Sequence, residues 1–171
     1  MDAVTNASDL APLQRAEIME KNLARMTEAV RAADLKMALL VPTTSAMVGV
    51  LAALFRTSPF TAATGIAFHI SLVPLVAVFV FVAVSVVPRL RPAEGSMLFF
   101  GTVAQQDVRA FRARAEALDA AAYLADLADQ CHAVASIARL KHRIVRRAYI
   151  TFLVALPLWA VAVYVLSSGE A

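Results

Sequence analysis

A chain of 171 residues that is 60% hydrophobic and 17% charged departs from an ordinary soluble domain, which runs at about 45–50% apolar and about 25% charged. The excess apolar surface must be buried, so the composition excludes an ordinary soluble protein. The net charge is +3, and no nucleic-acid partner is expected.

Residues 1–34 form the first segment. Met1 to Leu10 carries Asp2 and Asp9 and no basic residue, unlike the basic start of a cleavable signal peptide, so the first apolar run is expected to be a retained anchor. From Ala16, the residues Met19, Leu23, Met26, Val30, Ala33, Met37 and Leu40 follow at spacings of three and four. That period predicts an amphipathic helix entering the first span directly. The seam fits a coiled coil between subunits or packing on the chain's own residues 88–148. Three heptads is short for an independent coiled coil, and the charges agree with internal packing: residues 1–34 hold four basic and six acidic side chains, residues 88–148 ten basic and six acidic.

Residues 35–87 read as a transmembrane hairpin with spans 35–55 and 62–87, and residues 149–171 as a third span with a short tail. Each run approaches or exceeds the ~20 residues that cross ~30 Å of hydrocarbon. Lys36 opens the first span, where its stem can snorkel to the surface. Ser45, Gly49 and Ala53 stand four apart on one face, the spacing that lets two helices approach closely. Pro42, Pro74 and Pro157 place one proline in each span, expected to kink or loosen the helices. His69 is the one ionisable residue well inside a span; a neutral ring bonded to a nearby carbonyl or hydroxyl is the simplest reading, against the general suspicion that intramembrane polar groups are functional.

The middle segment, 88–148, opens with Pro88, Arg89, Pro92 and Gly95, which forbid continuation of the second span. Helices are predicted from Ala104 to Leu118 and from Ala120 onward, with Asp119 as N-cap between them. Leu124, Leu127, Cys131, Val134, Ile137, Leu140 and Ile144 then give one apolar face running into the third span, as a protruding stalk. Cys131 is expected to be a small buried apolar residue, and Asp126 and Asp129 solvated surface carboxylates. Arg139, Lys141, Arg143, Arg146 and Arg147 form the strongest charge cluster. It reads as a positive-inside belt against anionic headgroups or as an anion site using Arg89 or Lys36 as well; composition favours the belt.

Basic residues crowd the leading and middle segments, whereas the loop between the first two spans holds only Arg56 and the tail none. The positive-inside rule then puts the N-terminus and residues 88–148 in the cytoplasm and the C-terminus in the periplasm. The fold class is an all-α integral membrane protein with three transmembrane helices, an N-terminal amphipathic helix and a cytoplasmic helical hairpin or stalk. No phosphate-cradling glycine loop, paired-cysteine metal site or HExxH is present, and Cys131 and His142, about 16 Å apart along a helix, are too distant to share a metal. No catalysis, metal or cofactor is expected.

Four pieces in order, Ala33-Asp34-Leu35-Lys36, Val87-Pro88-Arg89, Phe99-Phe100-Gly101-Thr102-Val103-Ala104 and Gln130 through Ala138 to Lys141, together resemble the transmembrane effector family of bacterial Pycsar anti-phage systems, over roughly residues 20–165. The resemblance implies a partner pyrimidine nucleotide cyclase, a cyclic UMP or cyclic CMP signal, and an effector that impairs the bacterial inner membrane on binding it. By position it implies Asp34, Lys36, Arg89, Phe100, Gly101 and Lys141 as motif residues for nucleotide binding or for locking the cytoplasmic helices. No β-roll of the usual cyclic-nucleotide type fits the helical pattern of residues 88–148, so a pocket must come from helix ends or a subunit interface. A homo-oligomer is expected through the small-residue face. The other readings are a ligand-independent membrane adaptor or scaffold and a small channel subunit, for which Thr43, Thr44, Ser45 and His69 are the available polar lining.

Overall fold

The structure, a computed structural model, describes residues 11–87 and 96–168. The turn expected over residues 88–95, with Arg89, lies outside the described residues. Five helices and no strand occur among those described: α1 Pro12–Thr57, α2 Ala62–Val86, α3 Phe100–Val103, α4 Val108–Glu116 and α5 Ala120–Ser168. Three of them, α1, α2 and α5, are long and apolar enough to cross a membrane. The leading segment and the first span are one helix, as the seam predicted, and the helices run through Pro42, Pro74 and Pro157 without a break.

The chain divides into two compact units, one from Met1–Val30 and Arg89–Arg139, the other from Arg31–Pro88 and Leu140–Ala171. In the second unit α1 and α5 run parallel. Lys141 pairs with Asp34, the Tyr149 hydroxyl donates to the Lys36 carbonyl at 3.1 Å, the Trp159 indole Nε1 donates to the Met47 carbonyl at 3.0 Å, and the Ser58 hydroxyl lies 2.7 Å from the Leu166 carbonyl. The facing residues form two heptad seams. Ala33, Met37, Leu40, Thr44, Met47 and Leu51 are buried on α1, and Val145, Ala148, Ala155, Ala162 and Leu166 on α5, with Phe152 and Trp159 filling the intervening positions. This is coiled-coil spacing inside one chain.

Lipid tails are as apolar as leucine, so burying leucine in this unit gains little; close packing and hydrogen bonds hold it together. The alanines at every seventh position, Ala148, Ala155 and Ala162, supply the close approach, each no more than 1% exposed. α2 lies against the same seam through Ser71, Leu75, Val78 and Ser85, with Val78 in one buried cluster and Leu75 in the other. A four-residue connection joins α1 to α2. Thr61 caps α2 by accepting from the Thr64 amide at 3.2 Å, and the Thr64 hydroxyl accepts from the Thr61 amide at 3.0 Å, which satisfies two orphan donors reciprocally. Phe55 stacks on Phe68 at 4.3 Å beside that turn.

In the first unit the leading helix packs on the chain's own middle segment, as the charge balance and the short seam suggested. The Cys131 thiol donates to the Met19 carbonyl at 3.4 Å and the Tyr123 hydroxyl to Glu20 at 2.6 Å. Ala16, Leu127, Cys131 and Ala138 are buried there. The helix predicted over 104–118 is shorter than expected. Ala104 to Gln106 turn, and α4 starts at Val108 because the Asp107 carboxylate accepts from the Arg109 and Ala110 amides at 2.9 and 3.2 Å, stabilising an N-terminus there. Asp119 caps α5 as predicted, accepting from the Ala122 amide at 2.7 Å.

Candidate functional site

Asp34 lies on α1 one residue beyond buried Ala33, and Lys141 on α5 one turn before the buried pair Ile144 and Val145. Because α1 and α5 run parallel, the two side chains meet as an ion pair. The lysine side chain is 20% exposed and the aspartate 50%, so solvent screening holds the contribution to roughly 1 kcal/mol or less. What the pair fixes is register. Eight residues further along α5, the Tyr149 hydroxyl takes the Lys36 carbonyl, so two side-chain ties clamp α1 to α5 where the apolar spans begin. Lys36 itself is exposed, as a snorkelling lysine should be.

In the first unit the segment entering α3 is pinned to α5 by a buried hydroxyl. Ser96 Oγ donates to Asp126 Oδ1 at 2.7 Å and accepts from Gln130 Nε2 at 2.9 Å and from the Leu98 and Phe99 amides at 3.1 and 3.0 Å. Asp126 Oδ2 accepts from the Met97 and Leu98 amides at 2.7 and 3.2 Å. Ser96 and Gln130 are 5% and 7% exposed. Asp126 is therefore not the solvated surface carboxylate its position suggested; it organises a loop, whereas Asp129 is exposed. Beyond this loop Phe100 is 68% exposed and Gly101 lies beneath the Phe99 ring, where an added Cβ would come within 2.6 Å of Phe99 Cε1. The glycine is there for the ring above it.

Inside the spans the polar residues separate by face. Thr44 is fully buried, and its Oγ1 has no hydrogen-bond partner; the same holds for the Ser85 hydroxyl. Thr43, Ser45 and His69 face outward. His69 Nδ1 lies 2.8 Å from the Gly65 carbonyl; a carbonyl only accepts, so Nδ1 carries the proton and the ring is satisfied within its own helix. Of the lining expected for a channel, only Thr44 points into this bundle. Ser45, Gly49 and Ala53 are all exposed, and nothing lies within 4 Å of a Cβ built on Gly49. That face is not used within the chain.

Electrostatics outside the spans are local. The Lys21 ammonium, 2.6 Å from Glu17, holds that carboxyl below its ordinary range. The hydrogen bond to Glu20 raises the Tyr123 phenol, and burial pushes the Cys131 thiol up. Among the described residues no group of three His, Cys, Asp or Glu side chains could hold a metal ion.

Of the motif residues expected from the sequence, the structure brings Asp34 and Lys141 together and sets Lys36 beside them through its backbone. Phe100 and Gly101 belong to the first unit, and Arg89 is outside the described residues. Sequence reasoning missed Ser96, Tyr149 and Trp159, and it quoted Gln130 as a motif residue without foreseeing its bond to Ser96. The alanine heptad 148, 155 and 162 was the signal available for the close α1–α5 approach.

A family model described as the Pycsar effector protein domain, PycTM, matches residues 18–167. No curated protein and no solved structure matches the chain.

Proposed function

The chain belongs to the Pycsar effector protein family, and on that premise we propose that it is a signal-gated membrane effector that impairs the bacterial inner membrane on binding a cyclic pyrimidine mononucleotide. As a member it takes part in cyclic-nucleotide-based anti-phage defence, in a cyclase-linked system, at a membrane. The observation that carries the reading is the extent of the match: residues 18–167 cover the apolar part of all three long helices, the middle polar segment and the second half of the leading one. Sensing and membrane action then belong to one domain. Catalysis is assigned to the partner cyclase and none to this chain.

The signal is cyclic UMP or cyclic CMP, and its single negative charge needs a fixed cation. Lys141 is held by Asp34, so the phosphate competes with Asp34 and loosens α1 from α5 at the start of the spans. Arg89, which lies outside the described residues, is a further basic candidate by the resemblance alone. A near-complete switch requires on the order of 5 kcal/mol of differential affinity between the two arrangements, which argues for several subunits acting together. The outward face of Ser45, Gly49 and Ala53 supports a homo-oligomer, because small residues exposed to lipid are where a second copy packs closely. The N-terminus is cytoplasmic and the C-terminus periplasmic, by the distribution of basic residues.

The test is binding of cyclic UMP and cyclic CMP to the purified protein, with growth measured in cells expressing the cyclase. Hydrogen bonds to a charged group are worth about 1.5–3 kcal/mol, so Lys141→Ala and Arg89→Ala should each weaken binding roughly ten- to a hundredfold and abolish nucleotide-triggered growth arrest. Wild-type binding and arrest in both variants would remove these residues from the ligand site. Absence of binding by the wild type would remove the nucleotide reading itself.

A further inference from the structure

We propose that Lys36, Arg143, Arg146 and Arg147 form a docking band for anionic phospholipid headgroups on the α1 and α5 faces of the second unit. Arg143, Arg146 and Arg147 occupy the face of α5 opposite buried Val145 and Ala148, and all four cations are exposed. The Tyr149 hydroxyl bond to the Lys36 carbonyl puts Lys36 at the depth of Tyr149. Arg146 and Arg147 are two or three residues earlier on α5, about 3–5 Å along the axis. Lys36, Arg146 and Arg147, on two parallel helices, therefore meet at one level, with Arg143 about one turn earlier on α5, and none of the four forms an ion pair among the described residues.

Among its described residues the unit offers them no free counter-charge. Its single described carboxylate is Asp34, which Lys141 already occupies. Like charges gathered at one level are mutually destabilising unless a counterion comes from outside. What supplies it is indicated by the neighbouring surface: Leu35 and Leu39 beside Lys36 are each 67% exposed, and Ile150, Leu153 and Val154 after Arg147 are 51%, 60% and 53% exposed. A ligand that meets cations at one depth and continuous aliphatic surface immediately beyond has an anionic head and an apolar tail. Guanidinium groups suit the headgroup phosphate, which they can bind in a bidentate fork. A soluble anion or a polar protein partner satisfies the charge but leaves the aliphatic band uncovered.

This inference requires only that the unit spans a bilayer and is independent of the nucleotide reading, so its experiment uses no nucleotide. The full chain is reconstituted in phosphatidylcholine vesicles with trace spin-labelled phosphatidylglycerol or phosphatidylcholine, and the fraction of each label immobilised on the protein is compared. Each basic residue near a membrane surface is worth about fivefold in affinity for anionic lipid. Wild type should select phosphatidylglycerol several-fold at low salt and lose that preference in 1 M salt, where screening acts within about 3 Å. The triple variant Arg143→Gln, Arg146→Gln, Arg147→Gln should bring the ratio near one, and the triple Arg→Lys variant should keep a preference. No preference in the wild type, full preference in the Gln variant or loss of it in the Lys variant overturns the proposal; if the Gln variant does not insert, the wild-type salt response and the Lys variant decide. A protein partner on this face would appear as wild type without lipid preference.

Discussion

Replacing Asp126 with asparagine tests the loop lock atom by atom. The carboxylate accepts at both oxygens, from the Ser96 hydroxyl at Oδ1 and from the Met97 and Leu98 amides at Oδ2. Asparagine offers one acceptor and one NH2 group. If its oxygen keeps the amides, its NH2 faces Ser96 Oγ, whose two lone pairs are already claimed by Gln130 Nε2 and the Leu98 and Phe99 amides. If its oxygen keeps Ser96, its NH2 opposes the Met97 amide. Either orientation sets donor against donor. The Leu98 amide bond is exposed and water can replace it; of the two remaining bonds to the charged acceptor, each worth about 1.5–3 kcal/mol, either orientation of asparagine breaks one. Asp126→Asn should therefore destabilise the first unit by about 2–3 kcal/mol, and Asp126→Ala by somewhat more. Hydrogen exchange at the Met97 and Phe99 amides, with proteolysis between residues 96 and 107, is the assay, because the effect is local. Asp129→Asn, at an exposed carboxylate, is the control. If Asp126→Asn moves protection by less than about 0.5 kcal/mol, below the net worth of one ordinary hydrogen bond, the hydroxyl-centred lock is wrong.

Gly49→Leu should leave the monomer's stability within about 0.5 kcal/mol, since a Cβ there meets nothing, yet weaken self-association; native mass spectrometry showing a monomer for the wild type would contradict the interface. Cys131 has its pKa raised by burial, so the folded state keeps the proton that an unfolded thiol releases from about pH 8.5. Stability should be fully present below that pH and fall as pH rises toward the folded value; unfolding midpoints from pH 7 to 10, compared with Cys131→Ala, measure it, and alkylation should be slow until the fold opens. Reporter fusions should find Asp119 cytoplasmic and Gly169 periplasmic, and both on one side would contradict three spans.

The architecture was readable where polarity alternates. The seam from Ala16 to Leu40 and that from Leu124 to Ile144 are apolar residues among charged ones, and every member is buried or half-buried. The same heptads continue through Thr44, Met47 and Leu51 and through Phe152, Ala155 and Trp159, where the sequence is silent because the flanking residues are apolar too. In lipid both faces of a helix are greasy, so period carries no contrast and only residue size distinguishes inside from outside. The outward turn of Gly49 was not readable for that reason. The Asp34–Lys141 pair depends on two helices lying parallel, a long-range fact, and the role of Asp126 depends on Ser96, thirty residues away.

Trp159 is the only tryptophan in the chain, and its indole is held between α1 and α5 by the bond to Met47. The protein thus carries its own optical gauge at the seam the proposed signal would loosen. Its emission reports one distance, free of background from other indoles, and needs no label. Parting of the two helices would bring the ring into lipid or water and change its emission in the same mixing experiment in which leakage of a vesicle dye is timed. The order of the two traces would tell whether helix separation precedes the breach or follows it.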